Sequence, residues 1–190
     1  MPPKPSRRTS RKLNQLRLVP LLKRGGLVAH HTATLPGVAC LPFHRQGISR
    51  MQHFKQRKGP FLLLADSRRT ARSLIRWYPA GLRAGIKSAW PGQITIIVSA
   101  RPGLSADCYR HGRLAIRVDA DAACRRLAQA CGGLLVSSSL NRKGGRIHRP
   151  SRDVHMRWHR FLAGRAAPGE SCGHASEIWQ VGRRGMSKIR

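Results

Sequence analysis

Apolar residues in this chain come in short runs divided by glycine, proline and basic residues, and their spacing switches between helical and strand-like. Leu13, Leu16, Leu21 and Leu22 fall on one helical face, interrupted at Pro20 and ended by Gly25-Gly26. Leu27–His30 reads as a short strand. Ile48, Met51 and Phe54 recur every third residue in a helix over Gly47–Lys55, and Phe61–Ala65 follows as a buried strand. Helical patterns cover Thr70–Trp77 and Ala80–Ala89, after which Pro91-Gly92 turns the chain into the β-branched strand Gln93–Val98. Leu114–Val118 is a strand, Ala122–Cys131 a helix closed by Gly132-Gly133, and Leu134–Ser137 a strand. A helix is expected over Ser151–Leu162, a loop or linker over Ala163–Ala175 and a last strand over Ser176–Val181. Strands and helices alternate without an internal repeat. The pattern predicts a single α/β domain over 13–181 with a twisted mixed sheet, a flexible basic arm at 1–12 and a basic tail at 182–190.

Composition narrows the class. The chain has 190 residues, of which 41% are hydrophobic, enough for one buried core and too many for a disordered polymer. No apolar run approaches the roughly 18–20 residues of a membrane helix. Arg17 and Pro20 break Leu13–Leu22, so it does not read as a secretory signal. Cys40, Cys108, Cys124, Cys131 and Cys172 are scattered with no CxxC pair, which argues against a zinc ribbon or a disulfide scaffold and for reduced thiols in a cytoplasmic protein.

Charge changes the picture more. The net charge is +30, from 29 Arg and 8 Lys against 7 acids. A GC-rich genome produces such an Arg, Ala and Gly mix by codon bias alone. Even so, the field repels itself unless a polyanion neutralises it, and nucleic acid is the obvious polyanion. The aromatics are scattered, so the charge supports sequence-blind RNA contact and not a base-stacking platform.

General catalytic signatures are mostly missing: the sequence has no GxxxxGK[ST] and no GxGxxG. Asp119 and Asp121 share a side only on a strand. His155 and His159 are four apart but lack the Glu of HExxH, so they read as a solvated or phosphate-facing helix and no metal site is assigned.

Several short motifs do occur in a telling order. Lys55-Gln56-Arg57 follows a helix, and Trp90-Pro91-Gly92-Gln93-Ile94-Thr95 opens a strand. Leu114-Ala115-Ile116-Arg117-Val118 places an arginine inside an apolar strand, where alternation puts it opposite the face of Ile116 and Val118. Val136-Ser137-Ser138-Ser139-Leu140-Asn141 with Gly144, then Ala175-Ser176-Glu177-Ile178, complete the set. From about Gly26 to Val181 this order resembles the YrdC-type threonylcarbamoyl-AMP synthase family, whose patterns are PTE(T/A)xxG, KxR, WPGPxT, RVxxH, STSANxSG and PS(T/E)I.

The resemblance implies a YrdC-like fold around a positively charged cavity. It also implies a reaction joining L-threonine, bicarbonate and ATP into threonylcarbamoyl-AMP and pyrophosphate, with Mg²⁺ carried on the ATP and no side-chain nucleophile. Lys55, Arg57, Ser137, Ser139, Asn141 and Ser176 would bind ATP and phosphate. Thr32, Thr95 and Arg117 would bind threonine and carbamate. The partners implied are tRNA and the downstream proteins that transfer the threonylcarbamoyl group to it, with no membrane. Departures fall at the site: PTE becomes His31-Thr32-Ala33, the aromatic becomes Pro36, and the loop after Arg57 is about two residues shorter. The small residue of SAN becomes Leu140, the next Ser becomes Lys143, and the His after the strand arginine is absent. A working but altered synthase is the first reading. The second is a catalytically impaired protein that binds tRNA, double-stranded RNA or the ribosome, and the third is a basic structural protein whose charge reflects genome composition.

Overall fold

Along the central strands one set of alternate side chains enters a large core and the other set faces the opposite side. The computed structural model describes residues 14–141, 161–167, 169–182 and 185–190. Ten strands are described: β1 (Leu27–His30), β2 (Gly37–Cys40), β3 (Leu62–Ala65), β4 (Ile94–Ser99), β5 (Tyr109–Arg110), β6 (Arg113–Val118), β7 (Leu134–Ser139), β8 (Leu162–Arg165), β9 (Glu177–Gly182) and β10 (Gly185–Lys188). They form one mixed sheet in the order β10-β9-β4-β6-β3-β7-β2-β1-β8, with β5 paired to β6. The pairs β1·β8, β3·β6 and β4·β9 are parallel and the others antiparallel.

Leu27, Ala29, Val38, Cys40, Leu63, Ile96, Val98, Ile116 and Val136 point to one face. There they meet α2 (Arg45–Lys55), α3 (Arg68–Leu74) and α4 (Ala80–Ala89) through Ile48, Met51, Phe54, Ala71, Leu82 and Ile86. The other face is only partly covered. Val28, Ala39, Leu64 and Leu135 pack with Leu18 and Leu22, and with Cys124, Leu127 and Ala128 of α5 (Ala122–Ala130). Beyond that smaller core the same face continues as Leu62, Thr95, Ile97, Ala115, Arg117 and Ser137, which no helix among the described residues covers. This gap holds the site.

Four local readings change. Pro20 does not interrupt the first helix. The chain makes a 3₁₀ turn over Gln15–Leu18 and then α1 (Val19–Lys23), with Pro20 in its first turn, where an absent N–H leaves nothing unmade. Gly37–Cys40 is a strand although it opens on glycine. Leu162–Arg165, within the stretch read as helix end and linker, pairs with β1 as β8. Gly185–Lys188, within the basic tail, pairs with β9 as β10. The arm at 1–12, most of the Ser151–Leu162 helix, His155 and His159 lie outside the described residues.

Candidate functional site

The gap is a cavity of about 510 Å³, within the size range of small-molecule sites. Its floor is the uncovered strand face. Its rim is built from loops at strand ends: Thr32–Leu35 after β1, Arg57–Phe61 after α2, Ser139–Asn141 at the end of β7, and Ala175-Ser176 before β9. Of the residues expected at the site, Thr32, Arg57, Thr95, Arg117, Ser137, Ser139, Asn141 and Ser176 all line this one cavity.

Lys55 is not on the wall. It is 3% exposed. Its ammonium donates to Ser139 O at 2.9 Å, Asn141 O at 2.5 Å and Asn141 Oδ1 at 2.6 Å. Ser139 Oγ donates to the same Asn141 Oδ1 at 2.8 Å. Lys55 therefore holds the shape of the β7 loop from behind. Burial, and secondly the nearby Arg57 guanidinium, lower its pKa to about 8. Arg57 itself is lowered by burial. Its Nη1 donates to Lys58 O at 3.0 Å and Pro60 O at 3.2 Å, with the guanidinium 4.7 Å from the Phe61 ring centre.

Arg117 occupies the alternate position of β6, opposite the core face of Ile116 and Val118, and is 3% exposed. Asp119 Oδ2 lies 2.8 Å from Arg117 Nη2, though without hydrogen-bond alignment, and Arg117 Nε has no hydrogen-bond partner among the described residues. A buried guanidinium with an unmatched N–H on a cavity wall suits an anionic ligand. Asp119 Oδ1 accepts from Ala33 N at 2.9 Å and Asp121 N at 3.0 Å. A carboxylate thus stands at the backbone of Ala33, the position where the family pattern has its glutamate.

The loop after β1 is organised internally. Thr32 Oγ1 donates to Leu35 O at 2.8 Å and accepts from Thr34 N at 3.2 Å and Leu35 N at 3.3 Å, a turn held by one hydroxyl. His31 Nδ1 is 2.5 Å from Asp121 Oδ2. Burial alone would raise the Asp121 pKa, but His31 and the N–H groups of Ala123 and Cys124 bring it below the usual range. His30 is fully buried with Nε2 3.0 Å from Ser137 Oγ, and burial lowers its pKa to about 3, so it is neutral. A Cβ on Gly37 would stand 2.8 Å from His30 Nε2 and 3.1 Å from Ser137 Oγ, which explains glycine at the start of β2.

Neither Leu140 nor Pro36, the two bulky departures from the family pattern, lines the cavity. Leu140 is fully buried and belongs to the large core, its N–H donating to Pro36 O at 2.9 Å. Trp90 is buried too, donating from Nε1 to Ile94 O at 2.7 Å. The Trp-Pro-Gly turn thus anchors the start of β4, and Thr95 reaches Ser176 Oγ at 2.9 Å. The sequence reading missed His30, Asp119 and Ser138, and also Arg190, which lines the cavity and donates to Ser176 O at 3.3 Å. Ser138 was within the serine run. Nothing distinguishes Arg190 among the basic residues of the last segment.

The family model Sua5_yciO_yrdC, described as "Telomere recombination", matches residues 20–184. The chain is 32% identical over 151 residues to a protein of Neisseria gonorrhoeae named threonylcarbamoyl-AMP synthase, covering 77% of this chain and 79% of that one. It is 34% identical over 145 residues to the protein of the same name from Methylococcus capsulatus, covering 74% and 75%. Among solved structures, P. abyssi Sua5 complexed with L-threonine superposes with a TM-score of 0.84 at 18% identity, over 93% of this chain and 53% of that one. The chain thus spans about half of that larger protein.

Proposed function

This chain belongs to the Sua5/YciO/YrdC family, and from that membership we propose that it makes threonylcarbamoyl-AMP for the threonylcarbamoyladenosine modification of tRNA. The observation that supports this best is the gathering of Arg57, Arg117, Ser137, Ser139 and Asn141, far apart in sequence, on one cavity. The chemistry is nucleotidyl transfer. The amine of L-threonine and bicarbonate give a carbamate and water; a carbamate oxygen attacks the α-phosphorus of ATP, and pyrophosphate leaves. Such a step needs positioned charge more than a nucleophile.

Arg117, with its unmatched Nε–H, takes the carbamate or threonine carboxylate beside Thr32 and Thr95. Arg57 takes phosphate oxygens, joined by the hydroxyls of Ser137, Ser139 and Ser176 and the Asn141 amide. Lys55 acts as a positioning residue for that serine-asparagine loop. The donor set fits anions and offers a magnesium ion no carboxylate cluster; among the described residues no group of three or more His, Cys, Asp or Glu could hold a metal. Magnesium would ride on the triphosphate oxygens, and no step is assigned to it. No helix among the described residues is long and apolar enough to cross a membrane, and we place the protein in the cytoplasm, handing its product to the proteins that modify tRNA.

The test is pyrophosphate release from Mg-ATP and bicarbonate with and without L-threonine. Threonine-dependent release that falls at least about a hundredfold in Arg57→Gln is expected, from loss of a charge-assisted phosphate contact in a partly buried site. Folded protein giving no threonine-dependent release would leave RNA binding, supported by the +30 charge, as the surviving reading.

A further inference from the structure

A second surface gathers unusual chemistry outside the cavity. Between Asp66 and Asp107 the sequence contains no acid, while Arg68, Arg69, Arg72, Arg76, Arg83, Lys87 and Arg101 all fall there. The fold draws four of these together. Arg76 N donates to Ser99 O at 2.9 Å and Arg101 N to Leu74 O at 2.8 Å, fastening the end of α3 to the end of β4. Arg101 Nε reaches Ile75 O at 3.3 Å. Arg72 lies 4.1 Å and Arg83 5.9 Å from the centre of the Tyr78 ring. Trp77, between Arg76 and Tyr78 in the chain, is 47% exposed, although tryptophan is ordinarily mostly buried. No ion pair among the described residues neutralises any of the four arginines.

We propose that this patch docks an unpaired stretch of RNA, one base stacking on Trp77 while Arg72, Arg76, Arg83 and Arg101 hold the flanking phosphates. Clustered guanidiniums without carboxylates need a polyanion, and an exposed indole offers a flat surface that any base can cover. An acidic peptide would satisfy the charges and leave the indole without a stacking partner. Tyr78 keeps Arg72 and Arg83 extended beside it, so less side-chain freedom is lost on binding. The patch meets β4 at Ser99, beyond Thr95 and Ile97 where the cavity meets it, and none of Arg72, Arg76, Trp77, Tyr78, Arg83 and Arg101 lines the cavity. It is therefore separate from the cavity, and its existence does not depend on the reaction proposed there. Only the choice of RNA over DNA rests on that reading.

Fluorescence anisotropy of the full chain with a labelled oligoadenylate and with an RNA duplex of equal length tests this across a salt series. Trp77→Ala should weaken single-strand binding about tenfold and duplex binding less than about twofold, and Trp77→Phe should restore most of the loss. Arg76→Gln and Arg101→Gln should each weaken both ligands and reduce the slope of log affinity against log salt by about one. Equal losses for both RNAs in Trp77→Ala, or none, would overturn the proposal. So would polyglutamate displacing the RNA in a Trp77-dependent manner, which would reassign the patch to an acidic protein. If the Trp77 variants fail to fold, the two arginine variants decide, and unchanged salt slopes count against it. Threonine-dependent pyrophosphate release should be the same in Trp77→Ala as in wild type, so failure of the docking surface and failure of the synthase reading are measured separately.

Discussion

At Asp119 one carboxylate organises three groups that the cavity needs. Its Oδ1 fixes the backbone at Ala33 and at Asp121, and its Oδ2 sits against the buried Arg117. Arg117 was legible in the sequence, because an arginine between Ile116 and Val118 must leave the core face they share. Asp119 was not. An acid just after a strand reads as a turn residue, and its bond to Ala33 spans 86 positions that no local pattern connects. The Glu-to-Ala change at Ala33 looked like a lost carboxylate, and the structure brings one to the same loop from β6. Asp119→Ala should destabilise the fold by about 3–5 kcal/mol, the usual consequence of leaving a buried charge without its partner. Asp119→Asn keeps an acceptor for the two N–H groups and should lose less stability, while still raising the threonine KM because Arg117 is no longer held. Urea unfolding and steady-state kinetics check the pair; an Asp119→Asn enzyme indistinguishable from wild type would show that the charge has no positioning role.

Elements locate the site by their ends. The KxR motif lies at the end of α2, where Gln56 takes a left-handed conformation at φ 51° and turns the chain toward the cavity. A lysine at a helix end is normally solvated, and only packing shows Lys55 turned inward to the end of β7. Two of the missed strands share a cause: β2 opens on Gly37 and β8 contains Ala163 and Gly164, residues of low strand propensity. Their glycines answer to packing, since a Cβ on Gly164 would overlap Leu21. The α2–β7 link should make activity pH-dependent. Protonated Lys55 supplies three donors and neutral Lys55 two, so pyrophosphate release should decline as pH rises through about 8. Stability should move the other way. The pKa of Lys55 is depressed in the fold, so between about 8 and 10.5 the unfolded chain holds a proton that the folded chain lacks, and wild type should gain stability relative to Lys55→Met across that window. Lys55→Met should be slower at every pH and show no limb near 8. A limb that persists in Lys55→Met belongs to another group.

On the scale of the whole molecule, the two sides of the sheet have different tasks. One side is filled by α2, α3 and α4 and gives the stability; the other is covered only in part, by α1 and α5, and leaves room for anions. The apolar runs made the first side legible. Sheet order, which decides that Thr95, Arg117 and Ser137 share one cavity, comes from non-local pairing, and only the order of motifs hinted at it. Over all this lies the +30 charge. Among the described residues just three ion pairs form, one of them through His31. Most of the cations therefore repel one another across the surface. Salt screens such repulsion, with a Debye length shrinking from about 14 Å near 0.05 M to about 4 Å near 0.5 M. The thermal midpoint should accordingly climb by about 4–8 °C over that range, as about 2 kcal/mol of relieved repulsion would give in a chain of this size. Sodium chloride and sodium acetate at matched ionic strength should act alike, because screening depends on ionic strength and not on a bound anion. A midpoint that stays level or falls with salt would mean that the charges are already balanced in the fold, and that the cationic surface exerts no net repulsion for a polyanion to relieve.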